Sequence, residues 1–290
     1  MRVLLTGGKG MLGRTILRVL DGRHVLIPTD LPDVDITDEV AIDNAIASAQ
    51  PDAVIHCAAA TAVDKLETSV DFAFKVNALG SANVAAACHR QGVRLLALST
   101  DYVFDGAADR PYNEFDAATG GRTVYGRSKF AGEEQIRRHC PNHCICRVSW
   151  LYGFGGPSFV HTMLALSNPL RPALNVVADQ HGNPTSAVAV ARQLDRLLAR
   201  PSLCGTFHMT CEGEATWADF ATEIFRLAGR TQPVVPCTTA AFPRPAPRPK
   251  NSCLDKMMFR LCGLPPMPDW KDALAEFMEL EFGKGEECLK

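Results

Sequence analysis

Apolar residues in the first half of the chain fall into short unbroken runs, separated by longer stretches with helical spacing. The first run, residues 2–6, ends in glycines. Residues 11–20 then place Leu12, Ile16, Leu17 and Leu20 on one side, the spacing of an amphipathic helix. The same logic predicts a second strand over 24–29 ending at Asp30, a helix over 40–49, and a third strand over 53–57. A long helix over 69–91, ended by Gly92, leads to a fourth strand over 93–98. Strands that are apolar throughout, instead of alternating, are covered on both faces. This pattern predicts an α/β fold, a Rossmann-type doubly wound parallel sheet.

After residue 150 the pattern loosens. Strands are expected over 144–151, 175–178 and 206–209, the last as a late strand of the main sheet, and helices over 186–199, 217–227 and 270–282. The proline-rich stretch around Pro233, Pro236, Pro243, Pro245, Pro247 and Pro249 reads as irregular. The expected division is a dinucleotide-binding core over 1–155 with later returns near 173–210, and a smaller, mainly C-terminal substrate lobe over 156–290.

Composition narrows the function. A formal net charge of -2 speaks against a nucleic-acid partner, so attraction for an anionic ligand has to be local. No apolar run reaches the length of a membrane span, and the N-terminus enters a strand directly, so the chain reads as cytoplasmic. The 11 scattered cysteines read as thiols used as small hydrophobes. The string His139-Cys140-Pro141-Asn142-His143-Cys144-Ile145-Cys146 carries metal-ligand residue types. It lacks a second ligand cluster at normal spacing, and no metal site is expected.

Three motifs carry chemistry. Gly7, Gly10 and Gly13 sit between the first strand and first helix, where backbone N–H groups and a helix N-terminus meet a pyrophosphate. Asp30 ends the second strand, where a carboxylate accepts from adenosine ribose hydroxyls and repels a 2′-phosphate. That favours NADH over NADPH, with Asp33 and Asp35 close enough to compete for the assignment. Tyr125 and Lys129, four apart, share a helical face. A nearby ammonium eases loss of a phenolic proton, which suits a tyrosine delivering a proton to a carbonyl oxygen. Thr100, at the carboxyl end of the fourth strand, faces the ligand crevice of such a sheet.

Together with Cys57-Ala58-Ala59-Ala60-Thr61-Ala62-Val63-Asp64, the stretch from Ser99 to Gly106, Arg147-Val148-Ser149-Trp150-Leu151-Tyr152-Gly153, Asp179 to Thr185, and Arg248-Pro249-Lys250-Asn251-Ser252, these motifs resemble the dTDP-4-dehydrorhamnose reductase family. That family belongs to the extended short-chain dehydrogenases/reductases, and the resemblance runs through almost the whole chain. It implies NAD(P)H-dependent reduction at C4 of a nucleotide-linked 4-keto-6-deoxysugar. Tyr125 would be the general acid, Lys129 would hold the nicotinamide ribose and lower the pKa of Tyr125, and Thr100 would bond the sugar oxygen. Met11, Leu12, Asp35, Ile36, Ala58, Ala59 and Ala60 would lie along the cofactor. Val63, Asp101, Tyr102 and Trp150 would line the sugar site, with Trp150 alternatively a core residue of its strand. Arg248, in a substrate-side loop, would meet the pyrophosphate.

Related 4,6-dehydratases carry an acidic pair after the threonine; here Tyr102 follows Asp101, which argues against elimination. Some members dimerise through magnesium held by a glutamate just after the glycine motif. Gly13-Arg14-Thr15-Ile16 offers none, so a monomer or a metal-independent homodimer is expected. The alternatives are a reductase of another nucleotide keto-sugar, or a non-catalytic regulatory subunit resembling the β subunit of methionine adenosyltransferase.

Overall fold

The computed structural model describes residues 1–168 and 173–283. Its centre is a six-stranded sheet in which every pairing is parallel. In spatial order the strands are Val25–Thr29, Arg2–Thr6, Ala53–His56, Arg94–Thr100, His143–Val148 and Gly205–His208. The first strand lies between the second and third, so the order reverses beside it. Ligands bind such sheets outside the carboxyl ends of the strands at this reversal.

Val54 and Leu95 face one side, with Ile42 and Ile46 of the helix Glu39–Ala49 and with Val84, Ala85, Ala87 and Cys88 of the helix Gly80–Arg90. Val3, Leu5, Ile55, Leu96 and Leu98 face the other, with Ile16 of Met11–Val19 and Leu194 and Leu197 of Ala187–Leu198. Burial on both faces is why these strands are uniformly apolar.

Three elements differ from the sequence expectation. The long helix over 69–91 is not regular: Val70–Phe74 and Gly80–Arg90 flank a π turn over Lys75–Leu79. Such turns mark places where a side chain is re-aimed. Here that side chain is Asn77, whose amide is fully engaged elsewhere, as described below. The strand over 144–151 is broken at Trp150, whose φ of +48° ends His143–Val148 and starts a separate short strand, Leu151–Tyr152. The proline-rich stretch contains a single 3-10 turn, Thr239–Ala241, and a strand, Val234–Cys237, paired in parallel with Leu174–Val177. Pro236 is tolerated because this strand has one neighbour only, leaving its other edge without a ladder to break.

Candidate functional site

The glycine turn is shaped by contacts that exclude side chains. Gly7 has φ +72°, and a Cβ there would stand 2.6 Å from the Ala58 backbone N, across the point of strand reversal. A Cβ on Gly13 would run into the Gly7 carbonyl and stand 2.8 Å from the Gly8 Cα, so the helix seats directly on the turn. The helix Met11–Val19 has no side-chain cap and no acidic residue in its first turn. Asp38, Thr123, Ser186, Thr216 and Asp269 cap other helices, while Phe159–Leu166 and Gly80–Arg90 also lack a side-chain cap. The first-turn N–H groups of Met11 and Leu12 and the positive end of the helix dipole thus fit a dinucleotide pyrophosphate.

At the far end of this cradle Asp30 accepts from Lys9 N at 2.9 Å and from Leu31 N at 2.8 Å. Its carboxylate orders the glycine turn while standing at the end of the second strand. Asp35 accepts from Thr37 N at 2.8 Å, a local turn. Ile36 is buried against Gly80, and its carbonyl accepts from Asn83 Nδ2 at 3.0 Å. Ala58, Ala59 and Ala60 are half-buried after the third strand. Asn77 holds that segment: its Oδ1 accepts from Ala60 N at 2.8 Å, while Nδ2 donates to Ala60 O at 3.0 Å and to Ser128 Oγ at 2.9 Å. The π turn therefore ties the cofactor-side loop to the helix that carries Tyr125. Sequence reasoning missed Asn77; an amide inside an otherwise apolar helical face was the available signal.

The helix Val124–His139 starts at Thr123, whose Oγ1 accepts from Gly126 N at 2.9 Å. This cap points Tyr125 at the end of the fourth strand, where its hydroxyl stands near the Thr100 side chain. Thr100 Oγ1 also donates to Asp101 Oδ1 at 2.9 Å and accepts from Tyr102 N at 3.2 Å, closing a single 3-10 turn over Asp101–Val103. Burial pushes the Asp101 carboxyl up to about 6, opposed by the nearby Ser252 and Thr100 hydroxyls. Tyr102 meets Tyr125 edge to face, ring centroids 5.5 Å apart.

Lys129, one turn after Tyr125 on the same helix, is buried. Its Nζ donates to the Leu98 carbonyl at 2.8 Å. Burial lowers its pKa to about 8, with Glu133 and Cys57 opposing. Burial around the Tyr125 hydroxyl pushes it up to about 12, with Thr100 opposing and Asp101 adding. Tyr125 thus stands as a neutral phenol at neutral pH. One turn beyond Lys129, buried Glu133 accepts from Ser99 Oγ at 2.5 Å, from Arg147 Nε at 2.9 Å and NH2 at 2.7 Å, and from Arg137 at 2.8 Å. This knot pins the helix Val124–His139 to the ends of the fourth and fifth strands.

Beside these groups opens a cleft of about 870 Å³. Tyr102, Trp150 and Arg248 all line it, joined by Trp217, Phe159 and Gln180, which the sequence did not single out. Trp150 and Trp217 stack at 3.6 Å with planes 9° apart. Trp217 Nε1 donates to Gln180 Oε1 at 3.0 Å. Trp150 lines the cleft while its ring also packs on the core. Val63 opens the short helix Val63–Leu66 and is half-buried; the next residue, Asp64, pairs with Arg248 at 2.8 Å. Among the described residues no group of three or more His, Cys, Asp or Glu could hold a metal ion. Cys144 and Cys146 are buried in the fifth strand, and Cys288 lies outside the described residues. No helix among the described residues is long and apolar enough to cross a membrane.

Fold and site together define a Rossmann-type oxidoreductase, and relatives sharpen that class. The family model described as RmlD substrate binding domain matches residues 1–281. A dTDP-4-dehydrorhamnose reductase from Streptomyces griseus is 43% identical over 282 residues, covering 95% of this chain and 92% of its own. A crystal structure of a dTDP-4-dehydrorhamnose reductase from Clostridium acetobutylicum is 44% identical with a TM-score of 0.92, covering 97% of this chain and 99% of its own. The corresponding structure from Bacillus anthracis, in complex with NADP, is 37% identical with a TM-score of 0.92, covering 96% and 98%. The chain belongs to the dTDP-4-dehydrorhamnose reductase family.

Proposed function

We propose that this oxidoreductase reduces the C4 keto group of a nucleotide-linked 6-deoxy-4-keto sugar, converting dTDP-4-dehydro-L-rhamnose to dTDP-L-rhamnose. The observation that carries the reading is the proximity of the Tyr125 and Thr100 hydroxyls at the end of the fourth strand, beside an aromatic-walled cleft sized for a nucleotide sugar. A reduced nicotinamide, held by Gly7, Gly10, Gly13 and the first turn of Met11–Val19, supplies the hydride when bound. Thr100 and Tyr125 hold the keto oxygen between two hydroxyls, and the Tyr125 O–H gives its proton to that oxygen as it becomes an alkoxide. Lys129, protonated below about pH 8, places a cation near this site, which eases release of the Tyr125 proton to the substrate. Trp150 and Trp217 offer a flat apolar wall to the sugar or the base.

Asp30 supports NADH over NADPH, because its carboxylate at the strand end disfavours a 2′-phosphate. Relatives at 41% and 38% identity are named as reductases of other dTDP-linked 4-keto sugars, which keeps the sugar's stereochemistry as the second reading. Steady-state oxidation of NADH and of NADPH against a panel of dTDP-4-keto-6-deoxysugars tests both. Turnover of the rhamnose precursor above the others is expected, and absence of turnover with every 4-keto sugar would remove the proposal.

A further inference from the structure

Residues 240–249 form a strap along the cleft: Phe242, Pro243, Arg244, Pro247, Arg248 and Pro249 line it. The strap is largely exposed and rich in proline, so it is stiff and carries few backbone donors. Its two ends are fixed. Before it, Thr239 donates through both N and Oγ1 to Asp179 at 2.8 and 2.7 Å. After it, Asn251 Nδ2 donates to Ala108 O at 2.9 Å and to Arg110 O at 2.7 Å.

The middle is held by one residue from the other side of the cleft. Asp64 Oδ2 accepts from Arg248 NH2 at 2.8 Å, and Asp64 Oδ1 accepts from Ala246 N at 3.2 Å. Arg248 NH1 in turn donates to Ala246 O at 2.8 Å, closing a ring of three residues. Ala246 is completely buried under the strap, whereas the Arg248 and Asp64 side chains keep 22% and 30% of their exposure. The guanidinium is thus oriented at the cleft yet still reachable.

We propose that Asp64 is a positioning residue for the substrate diphosphate: it fixes the Arg248 guanidinium at the cleft and holds the strap against it. The inference rests on the reading that Arg248 meets that diphosphate. Two of the five guanidinium N–H groups are used by Ala246 and Asp64, which leaves donors for phosphate oxygens in a fixed orientation. The carboxylate itself is held below its usual range, chiefly by the Arg248 bond, so the pair stays ionised at neutral pH. Both partners also act electrostatically on Tyr102, which meets Tyr125.

The test is binding of dTDP alone, read as quenching of Trp150 and Trp217 fluorescence, beside steady-state kinetics. Asp64→Ala is expected to raise the dTDP Kd and the sugar-nucleotide KM about tenfold, the scale of one oriented charge-assisted bond, with kcat and the cofactor KM little changed. Asp64→Asn, which keeps one acceptor oxygen and the side-chain shape, is expected to fall between. In an Arg248→Ala background, Asp64→Ala should add nothing, because it acts through that guanidinium. Normal dTDP binding by Asp64→Ala while Arg248→Ala binds weakly overturns the role of Asp64 alone. Normal binding by Arg248→Ala overturns the diphosphate reading on which it rests.

Discussion

Trp150 lies flat on Trp217, ring centroids 3.6 Å apart, and does so from a left-handed backbone that few non-glycine residues adopt. Gly182 makes the arrangement possible, because a Cβ there would run into the Trp150 ring. The stack is one wall of the cleft, and Gln180 fixes its outer ring through the indole N–H.

Trp217→Ala removes half of this wall. We expect dTDP affinity to fall about tenfold and stability to drop by about 2–3 kcal/mol, less than for a fully buried tryptophan because Trp217 is only half-buried. Titration calorimetry and denaturant unfolding check the two effects separately. Unchanged affinity would mean that the base does not lean on this wall.

Tyr125→Phe keeps the ring contact with Tyr102 and deletes only the hydroxyl. The variant should fold normally and bind nucleotide cofactor, with turnover reduced about 10²–10⁴-fold, the usual share of a general acid. Retained turnover would remove Tyr125 as proton donor.

Lys129→Met separates function from stability. Burial lowers the folded-state pKa of Lys129 to about 8, below the unfolded value. The unfolded chain therefore binds more protons between pH 8 and the unfolded lysine range, and this group makes stability rise with pH there. Below pH 8 the buried charge is a net burden. Lys129→Met should accordingly melt higher than the parent at neutral pH, by a margin that shrinks as pH climbs above 8, while turnover collapses. Lower thermal stability of the variant at pH 7 would contradict the assignment.

Glu133→Ala leaves the Arg147 guanidinium, 2% exposed, without its carboxylate. The expected cost is about 3–5 kcal/mol, seen as a large fall in melting temperature. Replacing both residues, Glu133→Leu with Arg147→Met, should recover most of it. A double variant no more stable than the single one would show that the pair does more than balance charge.

What the sequence revealed follows from how local each feature is. The glycine turn, the Thr100 strand end and the Tyr125/Lys129 pair lie within a few residues of chain, and each carries its spacing openly. The partners of these groups do not. Asp64 and Arg248 are 184 residues apart, and nothing in either neighbourhood announces the other. Asn77 interrupts an otherwise regular helix only because Ala60 and Ser128 offer it three bonds, so the periodicity of the segment still read as one helix. The break at Trp150 has the same origin: a stack and a missing Cβ at Gly182 stabilise a backbone that local preference opposes. Spacing places Lys129 near Tyr125 but says nothing of the Leu98 carbonyl that its Nζ meets.

The sixth strand, Gly205–His208, pairs with the fifth only after the chain has crossed the cleft and come back. Cutting the protein near residue 155 would leave Cys144, Ile145 and Cys146 as an open, apolar sheet edge, ready to pair with another molecule. The chain therefore cannot be exchanged in halves during evolution or engineering. A new sugar preference has to be acquired by changing side chains and loops around the cleft, with the cofactor cradle carried along unchanged.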